Sequence, residues 1–185
     1  EEVLHNVRLA VPERALVACV GPNGGGKTTL LRLALGLLVP QRGRVRVFGD
    51  PPARVRSRVG YVPQSVRFDA EFPVTVEDVV LMGRVEQRAF GPYSRFDRDM
   101  ARQALARVGL ERLASRPYAS VSGGERQRIL IGQALATDPE LLLMDEPTAN
   151  VDAVVQHSIY ELLKELNERL TIVVVSNNLN EATRN

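Results

Sequence analysis

The sequence predicts an α/β fold, a parallel sheet broken by a helical insertion, and three observations carry that expectation. Short apolar runs alternate with leucine-rich helical stretches at both ends of the chain. The middle, residues 72–136, reads as helix throughout. A glycine-rich loop, "GPNGGGKT" at residues 21–28, joins an apolar run to a helix.

Composition sets the bounds. A chain of 185 residues with 44% hydrophobic and 25% charged side chains can bury one sizeable core and is ordered. The formal net charge of +2 gives no argument for a nucleic-acid partner. Cys19 is the sole cysteine, which excludes an internal disulfide framework and fits a reducing compartment. It sits in the apolar run "ALVACV" and reads as a small core residue. No apolar stretch approaches the ~20 residues of a membrane helix. The opening "EEVLHNVRLAVPE" reads as a strand pair already under way, and "EATRN" stops inside a helical pattern, so both ends are expected to be trimmed.

Taken in order, "ALVACV" is a buried strand and "GPNGGGKTTLLRLALGLL" turns from it into a helix. "RVRVFGD" alternates valine with arginine, as in a half-exposed strand, and "VGYVPQ" is a short strand stopped by Pro63. Thr75 and Asp78 form a capping box for "VEDVVLMG"; Asp97 is expected to cap "RDMARQALARV", which Gly109 ends. Ser122 and Glu125 form another capping box. Strand "ELLLMD", a helix with an apolar stripe from Val155 through Ile159, Leu162, Leu163 and Leu166 to Leu170, and strand "TIVVVS" restore the βαβ rhythm.

Residues 21–28 satisfy G-x-x-x-x-G-K-[ST] between a strand and a helix, the context this phosphate-binding loop requires. Gly24, Gly25 and Gly26 permit a tight loop whose N–H groups converge on phosphate oxygens at a helix N-terminus. Lys27 can bridge phosphates and the Thr28 hydroxyl can hold Mg²⁺. Asp145, closing its strand, is a second candidate for Mg²⁺, and Glu146 is a carboxylate able to polarise an attacking water.

In this order, "GPNGGGKTT", a glutamine in "YVPQ", "VSGGERQR" and "LLLMDEPTANVD" resemble the nucleotide-binding subunit of an ABC transporter over nearly the whole chain. The resemblance implies a P-loop NTPase (RecA-like) parallel sheet with an N-terminal antiparallel β portion and an inserted α-helical subdomain. Residues 1–71 and 137–185 would form the nucleotide-binding core of one domain, and 72–136 the subdomain. It implies ATP and Mg²⁺ as cofactors. Gly21, Pro22, Asn23, Gly24, Gly25, Gly26, Lys27, Thr28 and Thr29 would hold the phosphates. Thr28, Gln64 and Asp145 would serve the metal, and Glu146 would be the general base. Ser122, Gly123, Gly124 and Glu125 would embrace the nucleotide of a second copy, head to tail, and Asp152 would communicate between the two sites.

Two departures stand out: Asn177 and Asn178 follow "VVVS" where the family has histidine and aspartate, and Gln133 replaces a typical arginine. His5 and His157 do not follow core strands and cannot supply the missing histidine. The aromatic residue that stacks on adenine in this family would precede Glu1. "FPVTVEDVVLMGR" is similar to ATPases of zinc and manganese importers, though iron-siderophore importers carry related phrases. The implied protein is an ATPase subunit at the cytoplasmic face of the membrane, driving a permease fed by a substrate-binding protein. The transported ion would never touch this chain. The alternatives are a nucleotide-dependent clamp with slow turnover, caused by Asn177, and an importer ATPase for a siderophore or another substrate. A soluble ABC protein of DNA repair or translation would need a duplicated cassette or a long coiled coil, which this sequence lacks.

Overall fold

Four strands, β1 (Leu16–Val20), β2 (Val59–Val62), β3 (Leu141–Asp145) and β4 (Thr171–Ser176), pair in parallel in the order β1-β4-β3-β2. The computed structural model describes residues 3–65, 73–87, 91–149 and 151–177. β3 and β4 are buried along their whole length, the pattern of strands covered on both faces.

Alternate residues of the strands supply the two faces. Leu142, Met144, Ile172 and Val174 join a large apolar cluster with side chains of α2 (Val76–Leu81), α3 (Arg95–Arg107), α4 (Gly123–Leu135) and α5 (Ala153–Asn167). Their neighbours Leu141, Leu143, Val173 and Val175 face the other way, against Leu31 of α1 (Lys27–Ala34) and nearby Leu35. Cys19 is a free, half-buried thiol beside this second cluster, and burial pushes its pKa up. In α5, Ile159, Leu162 and Leu163 are buried, and Val155 and Leu166 pack against them as a continuous stripe.

The helices between β2 and β3 begin on capping boxes. Thr75 and Asp78 open α2, and Ser122 and Glu125 open α4. The start of α3 differs from the sequence reading. Its cap is Ser94, whose hydroxyl accepts the Asp97 N–H (3.1 Å), while the Asp97 carboxylate accepts the Ser94 N–H (3.0 Å). Asp97 is thus the third helical residue, where its charge also meets the helix dipole. It binds the Arg84 guanidinium (3.1 Å), and Arg84 reaches the Ala136 carbonyl just past α4 (3.1 Å). Both members of this ion pair are buried.

The expected N-terminal antiparallel portion is the second correction. Among the described residues, 3–13 form no strand, and Val3, Val7 and Leu9 are each about half exposed. "RVRVFGD" is not a strand but a tight turn: Val47 and Asp50 exchange both backbone hydrogen bonds around Phe48 and Gly49. Both central residues have positive φ (53° and 81°), the geometry of a two-residue hairpin loop. Alternation predicts a strand only where a partner exists, and here the chain reverses first.

Candidate functional site

Parallel strands point their carboxyl ends to one edge of the sheet, where ligands of such folds bind. At that edge β1 runs into the glycine loop and α1, β2 leads to Gln64, β3 ends at Asp145 and Glu146, and β4 ends at Asn177. A cavity of about 510 Å³ opens there. Its walls bring together Asn23, Gly24, Gly26, Lys27, Thr28, Thr29, Gln64, Glu146 and Asn177. Val3 and Ala149 line it too, and neither was legible in the sequence.

The loop is held by backbone geometry. Gly26 caps α1 at φ 83°, a left-handed conformation, and a side chain there would meet Leu4 Cδ2 at 2.6 Å. Only glycine suits that position. Lys27 curls back over the loop, its ammonium donating to the carbonyls of Gly21 (2.7 Å) and Pro22 (2.8 Å). An ammonium has three donors, so this anchoring leaves one for an anion. With the N–H groups of the first turn of α1, the loop forms a positively polarised cradle.

The carboxylates have opposite surroundings. Asp145 is 3% exposed, and its Oδ1 has no hydrogen-bond partner. An unsatisfied buried carboxylate oxygen is costly, roughly 1–3 kcal/mol or more. A bound cation would satisfy it, as would a hydrogen-bond donor. Its charge is felt by Tyr61, whose phenol is held above the usual range by burial first and by Asp145 second. Glu146, next along the chain, lines the cavity, and its Oε2 accepts a hydrogen bond from Gln64 Nε2 (2.8 Å). Its backbone is at φ 49°, with its N–H fixed on the Val175 carbonyl (2.8 Å) and its carbonyl accepting from Ala149 (3.0 Å). A left-handed glutamate is a strained choice of the kind found at functional sites.

The remaining residues singled out in the sequence are not in this cavity. Ser122 to Glu125 form the first turn of α4, and Asp152 caps α5. The Glu125 carboxyl is lowered from its usual pKa, chiefly by the Ser122 N–H (2.7 Å). The two glycines differ. A methyl on Gly123 would meet nothing within 4 Å, whereas one on Gly124 would meet Val155 Cγ1 at 2.8 Å. Gly124 is therefore also a packing residue of α5. Asn178 lies outside the described residues, and His5 and His157 are exposed. Nothing in the surroundings of Gln133 explains its replacing an arginine.

A family model described as ABC transporter matches residues 4–149. The chain belongs to the ABC transporter family. It is an ATPase domain of that family, similar to a probable metal transport system ATP-binding protein of Chlamydia pneumoniae (41% identical, covering 98% of this chain and 75% of that protein). It is similar also to the manganese transport system ATP-binding protein MntB of Bacillus subtilis (40%; 97% and 73%) and the zinc transport system ATP-binding protein TroB of Treponema pallidum (43%; 96% and 67%). Among solved structures, this ABC ATPase domain superimposes on a metal-chelate type ABC transporter in an inward-facing conformation with a TM-score of 0.87 (34% identical; 98% and 71% covered). A cassette solved as a dimer in a post-hydrolysis state with ADP and Pi gives a TM-score of 0.77 (29%; 97% and 82%).

Proposed function

We propose that this ABC ATPase domain hydrolyses ATP, with Mg²⁺, at the interface of two copies arranged head to tail. The energy would drive a membrane permease that imports a divalent metal ion of the zinc or manganese class. The supporting observation is the division of the site: Lys27, Thr28, Gln64, Glu146 and Asn177 line one cavity, while the turn from Ser122 to Glu125 and Asp152 lie off it. One copy thus holds half of the phosphate contacts, and a second copy supplies the other half across a two-fold axis. The metal assignment rests on the relatives' names, and the domain division at residues 72–136 on the helices inserted between β2 and β3.

Within the site, residues 21–29 wrap the phosphates, and Lys27, anchored on the Gly21 and Pro22 carbonyls, offers its third N–H to a phosphate oxygen. Thr28, Gln64 and Asp145 would hold Mg²⁺, and the orphaned Asp145 Oδ1 fits that ion. When bound, the ion supplies charge that neutralises the transferring phosphoryl oxygens. Glu146 accepts the proton of the attacking water, and Gln64 aims its carboxylate. Asn177 donates one neutral N–H toward the γ-phosphate. The domain sits peripherally at the cytoplasmic face, bound to the permease; no helix among the described residues is long and apolar enough to cross a membrane.

The test is ATP hydrolysis per subunit as protein concentration rises, followed by uptake in vesicles holding the permease. The rate should climb with dimerisation and vanish in Lys27→Ala, and Mn²⁺ or Zn²⁺ should enter. A concentration-independent rate contradicts the shared site. A second reading, import of a chelated metal, is favoured by the likeness to a metal-chelate type transporter. Uptake of a ferric chelate without free Mn²⁺ or Zn²⁺ would select it.

A further inference from the structure

We infer that Val155 is a positioning residue that locks the turn from Ser122 to Glu125 to the Asp152 cap, so that both meet the second copy's nucleotide as one body. The inference rests on the reading of these two elements as the trans-acting half of the site. Val155 touches both. Its backbone N–H, with that of Val154, donates to Asp152 Oδ1 (3.0 Å each). Its side chain covers Gly124, where an added methyl would lie 2.8 Å from Cγ1 and 3.1 Å from Cγ2. A real Cβ does not tolerate that approach, so the contact is built on the absence of a side chain at 124.

Neighbouring contacts continue the lock. Gln156 Nε2 donates to the carbonyls of Thr148 (3.4 Å) and Val151 (3.3 Å), tying α5 to the loop that follows Glu146. Arg128 of α4 donates to the carbonyls of Val108 (2.9 Å) and Ser158 (3.3 Å), joining α4 to α5 one turn further on. The Ser122–Glu125 turn, the Asp152 cap and the chain leaving the carboxylates are therefore coupled through α5. A packed contact of this kind transmits displacement, because well-packed side chains have no slack to absorb it.

Compensation between the two positions tests this. The four proteins are wild type, Gly124→Ala, Val155→Ala and the double variant, each assayed for kcat and for ATP affinity at dimer-forming concentration. Gly124→Ala drives a methyl into Val155 and should lower kcat by about 10-fold or more, equal to about 1.4 kcal/mol of barrier or more. Removing the opposing methyls should restore the double variant to the rate of Val155→Ala alone. That single variant should lose kcat several-fold while its ATP affinity stays put, since Lys27 and its loop are untouched. A double variant as slow as Gly124→Ala overturns the inference: Gly124 would then act only by bare backbone approach to phosphate. A wild-type rate independent of protein concentration removes the trans reading itself, and the inference with it. Should Gly124→Ala fail to fold, Val155→Ala decides alone, an unchanged kcat overturning the lock and a several-fold loss at constant affinity supporting it.

Discussion

Glu146 combines a chemical role with an unfavourable backbone, and substitutions can separate the two. Its φ of 49° costs a non-glycine residue about 1–2 kcal/mol. In Glu146→Gly that strain disappears, but glycine adds unfolded-chain entropy worth about 0.5–1 kcal/mol. Losing the bond from Gln64 subtracts about another 0.5–1 kcal/mol. The terms nearly cancel, so the melting temperature should stay within about 2–4 °C of wild type, the shift that 1 kcal/mol produces in a chain this size. Glu146→Val cannot relax into the left-handed region and should melt clearly lower. Glu146→Gln keeps the shape and, through its amide oxygen, the bond from Gln64, but loses the proton acceptor. It should melt like wild type and hydrolyse ATP about 10²-fold more slowly or worse. Thermal melting by circular dichroism and phosphate release at saturating ATP read both effects. Wild-type turnover in Glu146→Gln would put the base elsewhere, and equal melting of the Gly and Val variants would mean that no strain is stored.

Asn177→His should raise kcat by roughly 10-fold, or ~1.4 kcal/mol of barrier, with near-normal ATP affinity, because phosphoryl transfer depends on positioning. Single-turnover hydrolysis checks it, and equal rates would mean that asparagine substitutes fully. Arg84→Ala should destabilise the fold by about 3 kcal/mol, the low end for breaking a buried pair, since Asp97 keeps its bonds to Ser94. Urea unfolding measures it, and a loss under ~1 kcal/mol would class the pair with surface salt bridges. Asp97 and Glu125 are both held below their usual carboxyl range, Asp97 first by the Ser94 hydroxyl and Glu125 first by the Ser122 N–H. Depressed carboxyls stabilise the fold above their unfolded pKa values, near ~4, and that contribution is lost as pH falls through the folded values. Urea midpoints should be flat from about pH 7 to 5 and fall below about 4; the slope should shrink in Asp97→Asn.

Local spacing made the phosphate loop, the strand-end carboxylates and the Ser122 capping box legible in the sequence, because each is specified by residues a few positions apart. Other features were not legible. At the start of α3 the S-x-x-D pattern itself gives Asp97 the third helical position, and Ser94, not Asp97, supplies the cap. The alternation around Val45 and Val47 resembled a strand until the left-handed Phe48–Gly49 pair turned the chain back. The packing task of Gly124 involves a valine 31 positions later, a contact that no local pattern announces. Val3 lines the cavity beside a loop some twenty positions later, again a contact that local spacing does not announce.

The strand order has a consequence for how this domain comes into being. Among the described residues, the last strand in sequence, β4, is inserted between β1 and β3, and β1 pairs with no other strand. Until Thr171–Ser176 has been made, the strand that carries the glycine loop has no strand to pair with, and only the packing of Leu31 on Leu141 and Leu143 ties its unit to β3. A nascent chain ending at Leu170 should accordingly be cut readily by protease whether or not ATP is present, unlike one that extends through β4. Competence to hold nucleotide would thus arrive only once β4 has been made and has closed the sheet between β1 and β3.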